Sequence, residues 1–178
     1  MPGVRRTPGG AIRRVAVKVK DAAGRLRGSA IPAVELADFN AWMTANPPGT
    51  HDPVVARIEA AIDRCLGESP LCGLIAEAPT GGHFDHLDEI VINRAALSGF
   101  VVVKVYRGTP RMFVGGSAGS LYLAGSNLNA NKARVLLMAC LLRFGCPRPA
   151  ADPAHPTRAE LAAVRAHLVQ FQKVFDTH

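Results

Sequence analysis

Hydrophobic and polar residues follow two different periods along the chain, and each period predicts a different kind of element. Val15, Val17 and Val19 alternate with small or basic residues, which is typical of a strand with one solvent-exposed face. The runs 71–78 and 100–105 are almost continuously apolar, which is typical of strands buried on both faces of a sheet. The sequence therefore predicts three strands, at 11–20, 71–78 and 100–105.

Apolar residues at helical spacing predict five helices. Asp52 and Asn129 stand where N-caps belong, and Gly67, Gly99 and Gly145 stand where helices should end. A shorter helix is indicated only by the spacing of its apolar side chains, up to the Asn46-Pro-Pro-Gly49 breaker. The predicted helices span 36–43, 53–66, 84–98, 130–144 and 158–175.

Strands and helices alternate along most of the chain, and this order predicts the fold class. Apolar strands separated by amphipathic helices favour a three-layer α/β fold, with a small, mostly parallel sheet flanked by helices in a Rossmann-like arrangement. We expect one domain over residues 11–178, preceded by a basic flexible arm at residues 1–10. Ligands of such sheets bind beyond the carboxyl ends of the strands, which points to the loops 78–84 and 106–120.

The positive charge of the protein is concentrated at the N-terminus. Residues 1–27 contain eight basic residues and one acidic residue, whereas residues 28–178 contain thirteen of each. A nucleic-acid-binding surface needs such charge on a folded face, with aromatic side chains if it stacks bases. Because this arm contains no aromatic residue, we expect it to be solvated and expect no nucleic-acid partner.

Cysteine usage and hydropathy indicate the cellular compartment. The four cysteines have no CxxC spacing, so we expect reduced thiols rather than a disulfide framework or a zinc ribbon. No stretch approaches the roughly 18 apolar residues of a membrane span. The basic N-terminus lacks the apolar core of a signal peptide, so we expect a cytoplasmic protein without a membrane partner.

One loop concentrates residues that could carry chemistry, Thr80-Gly-Gly-His-Phe-Asp-His86. His83, Asp85 and His86 fit three places of an HxHxDH metal motif, but Gly81 stands where its first histidine belongs. We therefore predict no metal site and no cofactor, and interpret the acidic residues as the first turn of a helix. The chain also lacks a GxSxG nucleophile elbow and a GxxxxGK[ST] phosphate loop.

A more specific signal lies in the fourth predicted helix. The segment Ser126-Asn-Leu-Asn-Ala-Asn-Lys-Ala-Arg-Val-Leu-Leu137 resembles the GTLNPQKARVLL segment of the C-terminal domain of bacterial-type L-asparaginases and glutaminases. Eight of the ten positions from Leu128 to Leu137 are identical, and Ala130 and Asn131 differ. The segments 73–83, 102–107 and 171–175 are similar to the family's GIVLAGVGNGN, VVRSSR and IQQIFNQY segments, so the resemblance covers roughly residues 53–178.

The resemblance implies a family scaffold without the family's nucleophile. The catalytic threonines of these amidohydrolases lie in an N-terminal domain that has no counterpart here. His83 occupies the position of the last asparagine of GNGN, which the family lends to a neighbouring subunit's active site. The loop 108–120 contains no Asp or Glu where the family has an acidic residue. The resemblance also implies assembly with other copies of the chain.

Three functional hypotheses follow. The first is a non-catalytic domain that binds a small polar ligand, or that forms a homo-oligomer or binds a partner protein. The second is a component of an asparaginase/glutaminase-type amidohydrolase, a C–N hydrolase of linear amides, whose threonine-bearing domain is a separate chain. The third is a small enzyme that uses His83 and Asp85 as an acid/base pair. The predicted ligand site comprises Thr80, Gly81, Gly82, His83, Tyr106 and Arg107.

Overall fold

A computed structural model of the protein describes residues 1–39, 52–78, 86–106 and 120–177. In these ranges, four parallel strands form one sheet in the order of the chain: β3 (Ala33–Asp38), β4 (Cys72–Ala78), β5 (Val101–Tyr106) and β6 (Leu123–Ala124). Four helices flank the sheet: α1 (Asp52–Glu68), α2 (His86–Leu97), α3 (Ala130–Phe144) and α4 (Arg158–Phe175). The predicted three-layer α/β fold with a small parallel sheet is confirmed.

The helices cover both faces of the sheet, which explains why the central strands are almost entirely apolar. Helices α1 and α2 contact one face, and α3 contacts the other. Gly73 of β4 allows α3 to approach closely, since a Cβ atom at this position would collide with the Leu137 side chain. The backbone of Val101–Val105 is therefore covered from both sides, and all five residues are buried.

Helix α4 covers the outer edge of the sheet. The side-chain amide of Gln172 pairs with the backbone of Ala124 in β6. Its Oε1 accepts a hydrogen bond from the Ala124 N–H at 2.9 Å, and its Nε2 donates to the Ala124 carbonyl at 3.2 Å. One side chain thus satisfies the backbone groups that a neighbouring strand would otherwise bind.

The helix ends agree closely with the predicted ones because they depend on local chemistry. The Asn129 side chain accepts a hydrogen bond from the Lys132 N–H at 2.9 Å, and α3 ends before Gly145, whose φ is 73°. Gly99 has a φ of 91° just after α2. Both glycines adopt the left-handed conformation that other residues rarely adopt. The predicted caps of α3 and the predicted end of α2 are confirmed.

The predicted helix at 36–43 begins too early: residues 36–38 lie in strand β3, and Phe39 is the first residue in helical conformation. Leu36 lies in β3, which pairs in parallel with β4. The apolar spacing that suggested a helix begins inside this strand, in which Ala33, Val34 and Ala37 are buried and Leu36 is partly buried. Pairing with the central strand decided the outcome, and no local pattern records such pairing. Residues 40–51 lie outside the described part of the chain.

The N-terminal residues form a two-stranded antiparallel hairpin, β1 (Pro2–Arg6) and β2 (Ile12–Ala16). Val4 is fully buried, and its N–H donates to the Pro70 carbonyl at 2.7 Å. Cys146 N–H donates to the Pro2 carbonyl at 2.8 Å. This arrangement differs from the expected flexible arm at 1–10, because the backbone of residues 2–6 is paired while the basic side chains stay in solvent.

Candidate functional site

The carboxyl edge of the sheet is where the sequence placed a ligand site. Tyr106 ends β5 there, paired in register with Ala78 at the end of β4. It is the one predicted ligand residue that the structure describes. The other predicted residues lie outside the described ranges: Thr80, Gly81, Gly82, His83, Asp85 and Arg107.

A fully buried lysine lies two residues before Tyr106, on the same face of the sheet. The Lys104 side chain is only 1% exposed. Its Nζ forms an ion pair with the Glu89 carboxylate of α2 and lies 3.7 Å from the centroid of the Tyr122 ring. The sheet, the helix and the segment before β6 thus converge on one ammonium group.

The strand register explains how a lysine fits into the middle of an apolar sheet. Lys104 pairs with Ala76 of β4 on one side and with Ala124 of β6 on the other. Because both neighbours are alanines, they leave room on this face for the long lysine stem. The charged end extends to α2, where Glu89 is 37% exposed and reaches solvent.

The ion pair is more typical of a functional site than of a stabilising device. Desolvation of an ammonium group costs several kcal/mol, and attraction to one carboxylate rarely repays more than that cost. An apolar residue at position 104 would fit the surrounding sheet at no such cost. A charged pair that bridges the core and the carboxyl edge therefore suggests ligand recognition.

Sequence reasoning missed this cluster, although one signal was present. Lys104 is the only polar residue in the FVVVKV run, 100–105. Such a lysine in an otherwise apolar strand must either reach the surface at the end of the strand or find a buried partner. Its partner Glu89 was interpreted only as part of the polar first turn of a helix.

Two further carboxylates lie at the same edge on the opposite face. Asp38 of β3 pairs in register with Glu77 of β4, so both side chains project from the face covered by α3. Among the residues that the structure describes, no group of three or more His, Cys, Asp or Glu side chains could hold a metal ion. The described part of this edge therefore offers hydrogen-bonding and ionic groups for a ligand.

None of the cysteines is suited to act as a nucleophile. All four are free and buried. Burial raises the pKa of the Cys65 thiol to about 11 and that of the Cys146 thiol to about 12. Since the thiolate is the nucleophilic form, these groups are inert at neutral pH.

Comparison with known proteins does not identify a family. No family model, no curated protein and no solved structure matches the chain. The resemblance of the α3 segment to asparaginases and glutaminases therefore stays a prediction. Within the described residues, no helix is long and apolar enough to cross a membrane.

Proposed function

We propose that this chain is a non-catalytic domain that binds a small polar ligand at the carboxyl edge of its sheet. The observation that carries the proposal is the buried Lys104, which holds the half-buried Glu89 carboxylate at that edge. The ligand class follows from the group that faces solvent. A carboxylate accepts hydrogen bonds, so the ligand carries an amine or amide N–H group.

Lys104 is a positioning residue in this proposal. It binds Oε1 of Glu89 from the core side and fixes the orientation of the carboxylate. In this proposal the ligand binds the other oxygen of the carboxylate, Oε2. Tyr106, at the end of the same strand, contributes a phenolic hydroxyl to the edge.

The proposal is non-catalytic because no activated nucleophile is found among the residues that the structure describes. An amidohydrolase of the resembled family needs an activated threonine, and the buried thiols offer no substitute. Free cysteines also suit a reducing compartment, which is why we propose a cytoplasmic location. Asparagine and glutamine are the first ligands to test, since they combine an amine with an amide.

The first prediction concerns ligand binding. We expect calorimetric titration with L-asparagine or L-glutamine to show binding that Glu89→Gln weakens at least tenfold, a loss of about 1.4 kcal/mol. The neutral amide keeps one oxygen for Lys104 but loses the charge that attracts the ligand's ammonium group. Glu59→Gln is the matched control. Glu59 lies on α1 and, like Glu89, forms an ion pair with a basic residue, in this case Arg94.

Two results would contradict this prediction. Equal binding by the Glu89 and Glu59 variants would remove Glu89 from the site. Ammonia release from either amide by the purified chain would overturn the non-catalytic assignment. If His83→Ala abolished that release, the small-enzyme hypothesis with His83 and Asp85 would replace it.

A second candidate function is assembly with other subunits through α3. It is favoured by the exposure of several α3 residues that are identical to the asparaginase segment. Ala133 and Leu137, two of the positions identical to the asparaginase segment, are buried, and core packing accounts for them. Lys132, Arg134 and Val135 are equally identical but exposed, and Val135 is 68% exposed. A single exposed valine is common on protein surfaces, but here three exposed residues identical to the asparaginase segment lie together within 132–135, which suits an interface.

The second prediction follows from this exposed helix face. Light scattering at micromolar concentration is expected to show a homodimer or larger oligomer that Val135→Glu converts to a monomer. A charge placed in an apolar interface is desolvated without a partner, which costs several kcal/mol. Val169→Glu is the control, because Val169 is similarly exposed but lies on α4. A monomeric wild-type chain would contradict the prediction, and so would dissociation of the oligomer by both variants. Assembly only with a separate threonine-bearing chain would favour the hypothesis that this chain is a component of an amidohydrolase.

A further inference from the structure

The eight basic side chains of residues 1–27 lie on folded hairpins and are all exposed. The β1–β2 hairpin carries four of them. A second antiparallel ribbon, residues 18–27, carries the other four, with a bridge between Lys20 and Leu26 and a turn at Asp21–Gly24. The charge is therefore held on an ordered surface.

Six of these cations have no ion-pair partner among the described residues: Arg5, Arg13, Arg14, Lys18, Lys20 and Arg27. We call these six the basic surface. The remaining two are neutralised, since Arg6 pairs with Asp63 and Arg25 pairs with Asp21 at 3.0 Å. The basic surface therefore carries about six unbalanced positive charges.

The strand register places two cations of the basic surface side by side. Arg5 lies directly opposite Arg13 across the hairpin, so both side chains project from the same face. Like charges in this arrangement destabilise a pair of strands. The stability of the hairpin therefore does not explain the arrangement, whereas an anionic ligand would.

Two cavities of suitable chemistry adjoin the hairpins. A cavity of about 430 Å³ is lined by Arg5, Lys18, Arg27 and Ser29, and its lining contains no carboxylate. A second, of about 590 Å³, places Arg148 beside Arg13 and Arg14; its lining also includes Glu160, whose carboxylate accepts hydrogen bonds from the backbone N–H groups of Ala151 and Thr157. Groups of two or three cations beside a hydroxyl or an apolar wall are the chemistry that recognises phosphate groups.

We propose that the basic surface binds the phosphate backbone of double-stranded nucleic acid, with the 18–27 ribbon entering the major groove. The two-stranded ribbon projects from the domain, and residues 22–29 are all exposed. The major groove admits a two-stranded ribbon, and its two walls present phosphates to both sides of it. Residues 1–38 contain no aromatic side chain, so the surface lacks the aromatic platforms on which proteins stack the bases of a single strand.

A flat anionic membrane fits this surface less well. Cations lie on both sides of the ribbon and the hairpin, and a planar surface reaches only one side. The expectation against nucleic acid had two grounds, the lack of a folded basic face and the absence of aromatic residues for base stacking. The folded hairpins remove the first, and binding to the backbone of a duplex does not need the second. Backbone binding without base contacts needs only ordered positive charge.

The test is fluorescence anisotropy with a labelled 20-base-pair duplex of arbitrary sequence, measured with the full chain between 50 and 200 mM NaCl. Six phosphate contacts predict a slope of log K against log salt of about −5. In the triple variant Arg5→Gln/Lys18→Gln/Arg27→Gln, the slope is expected to become shallower by about 3 and the affinity at 50 mM NaCl to fall at least tenfold. Ala22→Lys adds a cation at the exposed turn and is expected to steepen the slope by about 1.

The control is a second triple variant, which removes three positive charges from a different part of the molecule. Arg143→Gln/Arg158→Gln/Lys173→Gln lowers the net charge equally at exposed positions of α3 and α4, and is expected to leave binding within twofold of the wild type. Equal losses in the two triple variants would show a non-specific charge effect and overturn the proposal. No binding at 50 mM NaCl, or binding to phosphatidylserine vesicles without binding to the duplex, would also overturn it. Circular dichroism checks that each variant is folded.

Discussion

The Glu89→Leu variant is expected to be less stable than the wild type by about 3 kcal/mol, because it leaves the Lys104 ammonium buried without its carboxylate partner. Lys104→Met is expected to change the stability by less than about 1 kcal/mol. In that variant the remaining charge belongs to Glu89, which is 37% exposed and can be hydrated. The asymmetry arises because Lys104 is only 1% exposed.

Urea unfolding of the two single variants and the double variant measures this asymmetry. The double variant Lys104→Met/Glu89→Leu is expected to recover most of the lost stability, since it leaves no unpaired charge. Arg64 and Glu35, 2.7 Å apart, provide the control pair, because the Arg64 side chain is 53% exposed whereas the Lys104 side chain is 1% exposed. Glu35→Leu is expected to cost less than about 1 kcal/mol. If Glu89→Leu cost no more than Glu35→Leu, the buried charge would not be held by Glu89.

Alkaline pH is expected to destabilise the chain through its buried thiols. The pKa of Cys146 rises from its ordinary value of 9.0 to about 12, mainly because burial disfavours the thiolate. The folded state therefore keeps this proton while the unfolded state loses it. The stabilisation is fully present below pH 9 and is lost as the pH rises towards 12, at about 1.4 kcal/mol per pH unit.

Chemical unfolding at pH 8, 9, 10 and 11 isolates this contribution. Between pH 9 and pH 11, Cys146→Ala is expected to lose about 2.3 kcal/mol less stability than the wild type, since it has no thiol at this position to ionise. Cys140→Ala is the control: burial also raises the pKa of this thiol, but the nearby Arg143 charge opposes the rise. Parallel pH profiles for the wild type and Cys146→Ala would refute the assignment.

The elements that could be predicted from the sequence are those whose signals are local. Helix α4 ends at its predicted residues, with a capping box between Thr157 and Glu160 at its start. Strands β4 and β5 were evident from apolar runs. Strand β6, with two residues, and strand β3 have no comparable local signal, because each exists through pairing with a neighbour distant in sequence.

The candidate site depends even more on contacts between distant residues. Tyr106 could be placed at the sheet edge because it ends an obvious strand. The pairing of Lys104 with Glu89 requires the register of three strands and the direction of α2, which no local spacing encodes. Ile90 shows the same limit. It was assigned to the apolar face of α2, but it is 40% exposed, while Ile92 is buried.

The strand order of the sheet has a consequence for protein synthesis. Strands β3 to β6 lie side by side in the order in which a ribosome synthesises them. Each strand can therefore pair with the strand that was synthesised before it. The β1 strand is made first, yet its Pro2 carbonyl binds the Cys146 N–H at the end of α3. The sheet can therefore grow as the chain is translated, whereas the hairpin reaches its final place only after some 140 further residues have been added.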